Sequence, residues 1–219
     1  NRRYEGVKAL ADMDLHPDRL SNLEMGYSFE DLVRRFNEQA NEEAGDHFTP
    51  HEVINLMVNL VFASGGDQGT AFAYGKCITL YDPTCGTGGM LSEAEKFIKA
   101  LNGKANIELF GQEYNAESYA ICGSDLMIKN EPTQNIVYGD TLGTGRSKPD
   151  SDFVDGDGHP NQKFHYLLAN PPFGVEWKNQ QKHVTDEYKT GGFNGRFGAG
   201  LPRINDGALL FLLHMISKM

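Results

Sequence analysis

The chain has 219 residues, with 30 acidic and 20 basic side chains and a net charge of −10. This length suffices for one substantial domain with its own core, and no apolar run is long enough to span a bilayer. A charge this negative argues against a nucleic-acid binder if it is spread evenly along the chain. Three cysteines without C-x-x-C spacing predict reduced thiols in a cytoplasmic protein. The chain begins without methionine and ends inside an apolar run, so we expect a piece of a longer protein.

Two helices are predicted before the first strand. The first begins near Ser28, where Ser28 and Asp31 resemble an N-cap, and ends at Gly45. The second follows Asp46-His47-Phe48-Thr49-Pro50-His51. Here Thr49 is the expected N-cap, Pro50 the first helical residue and Glu52 the partner in a capping box. A well-made helix start is an alternative explanation for this whole run.

A glycine-rich turn joins the first predicted strand, 78–81, to the next helix. It reads Asp82-Pro83-Thr84-Cys85-Gly86-Thr87-Gly88-Gly89-Met90-Leu91, and its glycines permit a tight turn and close approach of a ligand. The second strand, 107–111, leads to Glu113, where an acid holds ribose hydroxyls in nucleotide-binding α/β folds. Leu91 stands where a dinucleotide fingerprint needs glycine, so a mononucleoside-like ligand is favoured over NAD.

A fourth helix, 115–130, and a third strand, 135–138, precede Asp140. Asp140 is expected at the same sheet edge as Glu113, facing an adenine amine, although acids are also common in turns. The acidic stretch 147–161 is predicted to be a solvated loop, because it lacks the spacing of a calcium-binding loop.

The fourth predicted strand, 164–168, ends abruptly at Asn170-Pro171-Pro172-Phe173. Two prolines stop a sheet ladder, which leaves Asn170 at the carboxyl end of a strand, where ligands bind in open α/β sheets. A simple strand-terminating turn is the alternative. The last helix is expected to start at a cap on Asp206 and to be buried, because it is apolar on most sides.

The segment 174–205 is more basic than the rest of the chain. It holds five basic and three acidic residues, a net charge of +2, so the remainder carries −12. Its cations alternate with the aromatic residues Trp177, Tyr188, Phe193 and Phe197, a composition that suits base stacking and phosphate contact. A flexible solvated loop is the alternative, and the low charge suggests that a partner supplies much of the affinity for DNA.

Together, the Phe48-Thr49-Pro50 lead-in, the glycine-rich turn, Glu113 and Asn170-Pro171-Pro172-Phe173 resemble an N6-adenine DNA methyltransferase. The similarity is closest to the modification subunit of type I restriction-modification systems and extends over about 28–219. It implies a doubly wound, Rossmann-like α/β fold that depends on S-adenosylmethionine, with the sheet incomplete at the C-terminus. The implied organisation is a helical segment at 1–44 and a truncated catalytic domain at 45–219.

The resemblance also implies roles for individual residues. The catalytic residues would be Asn170, Pro171, Pro172 and Phe173, with the ring of Phe173 stacked on a flipped adenine. No metal ligand is expected. The cofactor would be held by Asp46, His47, Phe48, Thr49, Pro50, His51, Asp82, Thr84, Gly86, Thr87, Gly88, Gly89, Glu113 and Asp140. The implied partners are double-stranded DNA and the specificity and restriction subunits of the same system.

Two other functions share parts of this pattern. Protein glutamine methyltransferases have a similar glycine loop, but they usually carry tyrosine where Phe173 stands and lack the Phe48-Thr49-Pro50 lead-in. A non-catalytic scaffold that holds a specificity subunit on DNA is the other alternative. The intact Asn170 and glycine loop argue against such a scaffold.

Overall fold

The computed structural model describes residues 49–63, 76–146 and 151–219, together with 19, 21, 24–29, 31–32 and 35. Within these ranges the helices are α1 (His51–Ala63), α2 (Gly89–Leu101), α3 (Ala116–Ile128), α4 (Gln181–Gly191) and α5 (Ala208–Ser217), with a 3₁₀ turn at Gly192–Asn194. The strands are β1 (Cys77–Asp82), β2 (Asn106–Glu113), β3 (Ile136–Asp140), β4 (Val154–Asp155) and β5 (Tyr166–Leu167).

All five strands run parallel in one sheet, in the order β4-β3-β2-β1-β5. The sheet winds outward from β1 through β2, β3 and β4. The chain then returns to place β5 on the other side of β1, where Leu80 pairs with Tyr166. The order therefore reverses between β1 and β5, and parallel sheets of this kind bind ligands beyond the carboxyl ends of the strands at such a switch point. This arrangement confirms the predicted α/β fold.

The core is divided by the sheet because successive side chains of a strand point to opposite faces. On one face, Leu80 and Leu109 join the cluster formed by residues of α1, α2 and α3. On the other face, Tyr81 and Phe110 pack with Phe164. Tyr81 is fully buried and its ring stacks on that of Phe164 at 4.3 Å. The middle of the sheet is thus covered on both sides, and only its strand ends reach solvent.

The elements from β1 to β3 lie within a few residues of their predicted positions. The predicted cap of α3 is also confirmed, because the side chain of Asn115 accepts from the backbone N–H groups of Glu117 and Ser118. α1 begins at His51, one residue later than predicted, with the carbonyl of Pro50 accepting from Val53 and Ile54. Such one-residue differences are ordinary at helix ends.

Two predicted helix caps are wrong. Ser28 lies inside a helical segment, where its hydroxyl donates to the carbonyl of Glu24. The reciprocal bonds of a capping box instead join Ser21 and Glu24. Asp206 does not cap α5 with its side chain, which pairs with Arg203 at 2.8 Å. Both corrections have one cause, since an acid or hydroxyl forms a cap only when no nearer partner takes it.

The acidic stretch after residue 150 is not simply a solvated loop. It contributes β4, which pairs with β3, and its acids have protein partners. Asp155 accepts from the backbone of Thr144 at 2.6 Å, and Asp157 pairs with the buried ammonium group of Lys218. The pKa of Asp155 is lowered by the hydrogen bonds that it accepts, although its partial burial acts in the opposite direction.

The basic segment and the last helix also differ from prediction. The basic segment folds into α4 and the 3₁₀ turn, so the alternative of a flexible solvated loop does not describe it. α5 buries Leu210 and His214 but leaves Leu209, Leu212 and Ile216 about half exposed, so the expected full burial is wrong. None of the helices in the described ranges has the length and apolar character of a membrane-crossing segment.

Candidate active site

Two loops leave the sheet side by side at the switch point. The glycine loop follows β1, and the Asn170 loop, residues 169–174, follows β5. β1 and β5 are hydrogen-bonded neighbours, and the backbone N–H of Leu168 extends their pairing by donating to Tyr81. Because both strands point the same way, Gly88 and Asn170 lie at the same edge of the sheet. The predicted juxtaposition of the two loops is therefore confirmed.

The glycine loop turns sharply because two of its residues adopt positive φ. Gly86 has φ of 56° and Gly88 of 86°, a region that side chains disfavour. Gly88 is also crowded, since a Cβ there would lie 2.8 Å from Sγ of Cys122. α2 starts directly after it, with no side-chain cap on Gly88. The first N–H groups of α2 are thus available to a polar ligand group at this edge.

Side chains on both sides of the glycine loop fix its shape. Asp82 accepts from the backbone N–H of Thr84 at 2.9 Å. Glu113, at the end of β2, accepts from the backbone N–H of Gly86 at 2.8 Å and from that of Asn115 at 2.7 Å. A carboxylate at the end of the second strand is therefore in direct contact with the loop, and each of its two oxygens accepts from a backbone N–H group.

Asp82 is an acid with an unusual environment. Burial raises its pKa to about 7, the hydrogen bond from Thr84 opposes this, and the charge of Glu113 adds to it. The carboxyl group is 2 % exposed. Because burial leaves Asp82 partly protonated near neutral pH, the negative potential at this end of the sheet comes mainly from the carboxylate of Glu113, and it favours a cationic ligand group over an anion.

Asp140 lies at the same sheet edge, but its carboxylate already has protein partners. One oxygen accepts from the backbone N–H groups of Leu142 and Gly143, and the other accepts from Gln180 at 2.7 Å. Asp140 therefore serves as a structural anchor for the start of α4. Contact with a ligand amine would require it to share or exchange the bond to Gln180.

The Asn170 loop carries its polar and aromatic side chains on the surface. Asn170 is exposed, and Phe173 is 77 % exposed. The side-chain amide of Asn170 donates to the hydroxyl of Thr49 at 2.9 Å. This bond uses the amide nitrogen, so it does not consume the carboxamide oxygen. It also joins the residues before α1 to the Asn170 loop, which sequence order separates by 121 positions.

The remaining predicted site residues are distributed as follows. Thr87 and Gly89 are half-buried in the glycine loop, Pro171 is half-buried and Pro172 is exposed. Pro50 precedes α1 and His51 is its first residue. Asp46, His47 and Phe48 lie outside the described residues.

Two residues at the site edge escape prediction from sequence. Gln112 is fully buried and bonds to the backbone of Gly156 and Gly158 with its side chain, while its carbonyl accepts from Cys85. The hydroxyl of Thr141 donates to the carbonyl of Pro83 at 2.7 Å. Both brace the glycine loop from the β2 and β3 side. A glutamine directly after the buried run Leu109-Phe110-Gly111 of β2 is the one sequence signal for such a role.

Part of the predicted DNA-contacting segment is internal. Trp177 and Phe197 are buried, so they do not stack on bases. The guanidinium of Arg196 forms a two-point pair with Glu187 and donates to the carbonyls of Thr141 and Leu142. Sequence alone does not distinguish a buried aromatic residue or a buried arginine from an exposed one in a mixed polar segment.

The parallel sheet, its single switch point in the described residues and the glycine loop at that point define a Rossmann-like α/β fold of the S-adenosylmethionine-dependent methyltransferase class. The family model for the N-6 DNA Methylase matches residues 21–219. The chain therefore belongs to the N-6 DNA methylase family.

Individual relatives agree with this assignment. The chain is 25% identical over 194 residues to the type I restriction enzyme HindI methylase subunit of Haemophilus influenzae, covering 88% of this chain and 37% of that protein. It is 26% identical over 165 residues to the MpnII methylase subunit of Mycoplasma pneumoniae, covering 72% of this chain and 27% of that protein. The chain thus spans about a third of the length of the curated relatives that it matches.

Two solved structures share the fold. One is the type I restriction-modification methyltransferase subunit of Streptococcus thermophilus, with a TM-score of 0.67 and 25% identity, covering 97% of this chain and 39% of that one. The other is a Listeria monocytogenes protein described as a class I S-adenosylmethionine-dependent methyltransferase, with a TM-score of 0.61 and 11% identity, covering 94% of this chain and 53% of that one. The second supports the fold alone.

Proposed function

We propose that the protein containing this chain is the methylating subunit of a type I restriction-modification system. It transfers a methyl group from S-adenosylmethionine to the N6 amine of adenine in double-stranded DNA. The observation that carries the proposal is the pairing of β1 with β5, which puts the glycine loop and Asn170-Pro171-Pro172-Phe173 at one edge. The hydrogen bond from Asn170 to Thr49 supports it further.

The residues present suit S-adenosylmethionine. When bound, the cofactor would supply an electrophilic methyl group carried on a cationic sulfur. Transfer of that methyl group to the adenine amine would leave a neutral thioether. The positive-φ glycines leave backbone rather than side chains facing the ligand. The carboxylate of Glu113 gives a negative potential for its cationic groups and stands at the usual place of a ribose acceptor, while the buried Asp82 holds the shape of the glycine loop. Asp46, His47 and Phe48 belong to the same proposed pocket.

The Asn170 loop acts on the base. The carboxamide oxygen of Asn170 and the carbonyl of Pro171 each accept one hydrogen of the adenine amine, which turns the nitrogen lone pair out of the ring system. The exposed ring of Phe173 stacks on the base after it leaves the duplex. The amine proton is released to water. These residues accelerate the reaction by placement more than by acid-base chemistry.

The proposal includes the setting in which this site works. The DNA sequence is read by a specificity subunit, and a restriction subunit completes the system. The three thiols Cys77, Cys85 and Cys122 are free, which supports a cytoplasmic location. We place the catalytic domain at 45–219 and a helical segment at 1–44.

Asn170→Ala in the full-length protein, assembled with its partner subunits, tests the assignment. We expect DNA methylation to fall by a factor of about 10³ or more, because the substitution removes an acceptor needed at the reacting nitrogen. Binding of S-adenosylmethionine, measured by calorimetry, should remain. The methylation assay follows transfer of a labelled methyl group to duplex DNA.

Asn106→Ala is the matched control, since Asn106 is an exposed asparagine at the amino end of β2, on the opposite edge of the sheet. It should methylate DNA at the wild-type rate. Wild-type activity in Asn170→Ala would refute the catalytic role of the Asn170 loop. Labelling of protein rather than DNA by the wild type would favour a glutamine methyltransferase instead.

A further inference from the structure

The basic segment 174–205 carries an aromatic side chain that is even more exposed than Phe173 of the Asn170 loop. Phe193, in the 3₁₀ turn after α4, is 90 % exposed. A phenylalanine in that position gives up the free energy that burial of its ring would provide. The ring is therefore expected to have a partner that the described residues do not supply.

The turn that carries Phe193 is closely packed. The backbone N–H of Gly195 donates to the carbonyl of Gly192, and that of Gly198 donates to Gly195. A Cβ on Gly198 would lie 2.2 Å from the carbonyl oxygen of Phe193, so only glycine closes the turn. The neighbouring Arg196 is held by Glu187. The backbone under the exposed ring is thus fixed by these contacts.

The same segment is fastened to the edge of the sheet that carries the candidate active site. Gln180, just before α4, donates to Asp140 at the end of β3. Arg196, just after the 3₁₀ turn, donates to the carbonyls of Thr141 and Leu142. Both ends of the segment that presents Phe193 are therefore anchored beyond the carboxyl end of β3. The segment therefore borders the edge of the sheet at which the two active-site loops open.

The surroundings of Phe193 match the sugar-phosphate backbone of DNA better than a protein surface. An open depression of about 350 Å³ beside it is lined by Tyr188, Lys189, Gly192, Phe193 and Gly198. Lys189 is exposed there, and the segment 174–205 has a charge of +2 in a chain whose remainder carries −12. A protein-binding surface would present a broader apolar patch, whereas the rings of Tyr188 and Phe193 beside a cation and glycines suit contact with a base stack, and the almost fully exposed Phe193 is the ring able to insert.

We propose that Phe193 inserts into the duplex beside the target adenine and fills the space left when that base is flipped, while Lys189 contacts an adjacent phosphate. This inference rests on the proposed DNA-methylating function. It separates two aromatic roles, because Phe173 stacks on the extruded base and Phe193 replaces it in the stack. Phe193 is a positioning residue in this scheme and does not touch the reacting atoms.

Phe193→Ala in the full-length protein with its partner subunits tests the proposed insertion, which we call the Phe193 wedge. On duplex DNA we expect methylation at subsaturating DNA to fall roughly tenfold or more, since stacking on an aromatic ring contributes strongly to binding. A mismatch opposite the target adenine lowers the cost of base flipping, so it should restore most of the lost rate. Phe193→Trp should retain activity. A fluorescent adenine analogue at the target position should show less extrusion with Phe193→Ala.

Two matched controls come from parts of the surface far from the proposed DNA contact. Met127→Ala removes an apolar side chain that is 66 % exposed on α3, and it should leave methylation unchanged. Lys104→Ala removes an exposed lysine before the amino end of β2. In a plot of log DNA affinity against log salt concentration, Lys189→Ala should make the negative slope shallower by about one, whereas Lys104→Ala should leave it unchanged.

The outcomes distinguish this inference from the proposed function. The wedge is overturned if Phe193→Ala methylates DNA as fast as the wild type, or if it loses the same factor in rate on fully paired and on mismatched DNA. In either case, methylation of DNA by the wild type still supports the proposed function. Loss of subunit assembly in Phe193→Ala, seen by light scattering, would assign the ring to a protein interface instead. A lower melting temperature than that of Met127→Ala would assign it to folding, which also overturns the wedge.

Discussion

Gly88 occupies the tightest point of the glycine loop and shows why that position excludes a side chain. Two separate costs meet there: a φ of 86°, and a separation of 2.8 Å between Sγ of Cys122 and the position that a Cβ would take. Only one of the costs depends on a neighbour. The two can therefore be separated by substitution.

Gly88→Ala should lower the free energy of unfolding by about 1 to 3 kcal/mol, because both the backbone strain and the contact are introduced. Adding Cys122→Ala removes the contact and should recover part of the loss, while the strain remains. Urea denaturation measures both. Gly123→Ala is the control, since a Cβ at this helical glycine meets nothing within 4 Å. Stability equal to wild type in Gly88→Ala would contradict the conformation of the glycine loop.

Asp82 makes stability depend on pH in a direction opposite to that of a salt-bridged acid. Its pKa is raised to about 7 by burial in the folded protein and is close to 4 in an unfolded chain. Between these values the folded state binds more protons than the unfolded state. The contribution of Asp82 to stability is therefore fullest at low pH and is lost as the pH rises through 7.

Asp82→Asn should remove this loss, on the order of 2 to 4 kcal/mol between pH 4 and pH 8, because a neutral amide cannot ionise. The asparagine oxygen still accepts from Thr84. Denaturation at a series of pH values should give a profile that declines less steeply than that of the wild type. Asp152→Asn, at an exposed aspartate, should reproduce the wild-type profile. A variant profile parallel to the wild type would show that Asp82 is charged at neutral pH.

The residues of the site are predictable from sequence to different degrees, and the reason is physical. Gly88, Glu113 and Asn170 are identifiable because each occupies a position with a local signal: a turn that needs positive φ, the end of the second strand, and the residue before two prolines that stop a strand. Thr49 is predictable as a member of the site, but its bond to Asn170 joins segments 121 residues apart. No local pattern encodes such a bond, and the same holds for Gln112 and Thr141.

At the scale of secondary structure, the contacts of Arg196 hold α4 beside the sheet more than apolar packing does. Val184 is its only buried residue. Arg196 connects Glu187 of α4 to the end of β3 and approaches Nδ1 of His214 on α5 at 3.3 Å. Burial, together with the charge of Arg196, lowers the pKa of His214 to about 3. The histidine is thus neutral and accepts this contact.

Arg196→Met should lower the free energy of unfolding by about 2 to 4 kcal/mol, because it leaves Glu187 and two carbonyls without their charged donor. Arg203→Met breaks an ion pair of exposed side chains and should lower the free energy of unfolding far less. Chemical denaturation compares the two. Equal losses in both variants would show that Arg196 forms only a surface contact.

Elements with a periodic apolar pattern are predictable, and those held by polar contacts are not. α2 follows its pattern because its apolar side chains face the core. α4 has one buried residue, so its sequence lacks the periodic apolar pattern that would predict a helix. β4 has two residues, too few for alternation to appear. Sequence also overestimates the burial of α5, because apolar composition does not say how many sides of a helix find a neighbour.

For the whole molecule, the winding of the chain decides where chemistry is possible. Outward winding from β1 and return to β5 create a single switch point in the described sheet. The glycine loop, Glu113 and the Asn170 loop all open there, while the basic segment covers the neighbouring edge. This combination is predictable because right-handed crossovers leave few arrangements for alternating helices and strands.

The charge of the chain is divided in the same way as its structure. The segment that packs over the end of β3 is the cationic part, and the remainder is strongly acidic. This distribution provides little general electrostatic attraction for DNA, so under the proposed function most of the affinity would come from partner subunits.

The strand order also has a consequence for synthesis on the ribosome. β1, β2 and β3 emerge early and can pair with one another. The second neighbour of β1 is β5, so Leu80 can pair with Tyr166 only after a much longer stretch of chain has been made. Closing so long a loop is slow relative to pairing of nearby segments. A nascent polypeptide therefore completes its glycine loop well before Asn170 arrives. Under the proposed function, a product terminated before that point would carry the cofactor loop without the loop that acts on the base, and it would leave the genome of its host unmodified.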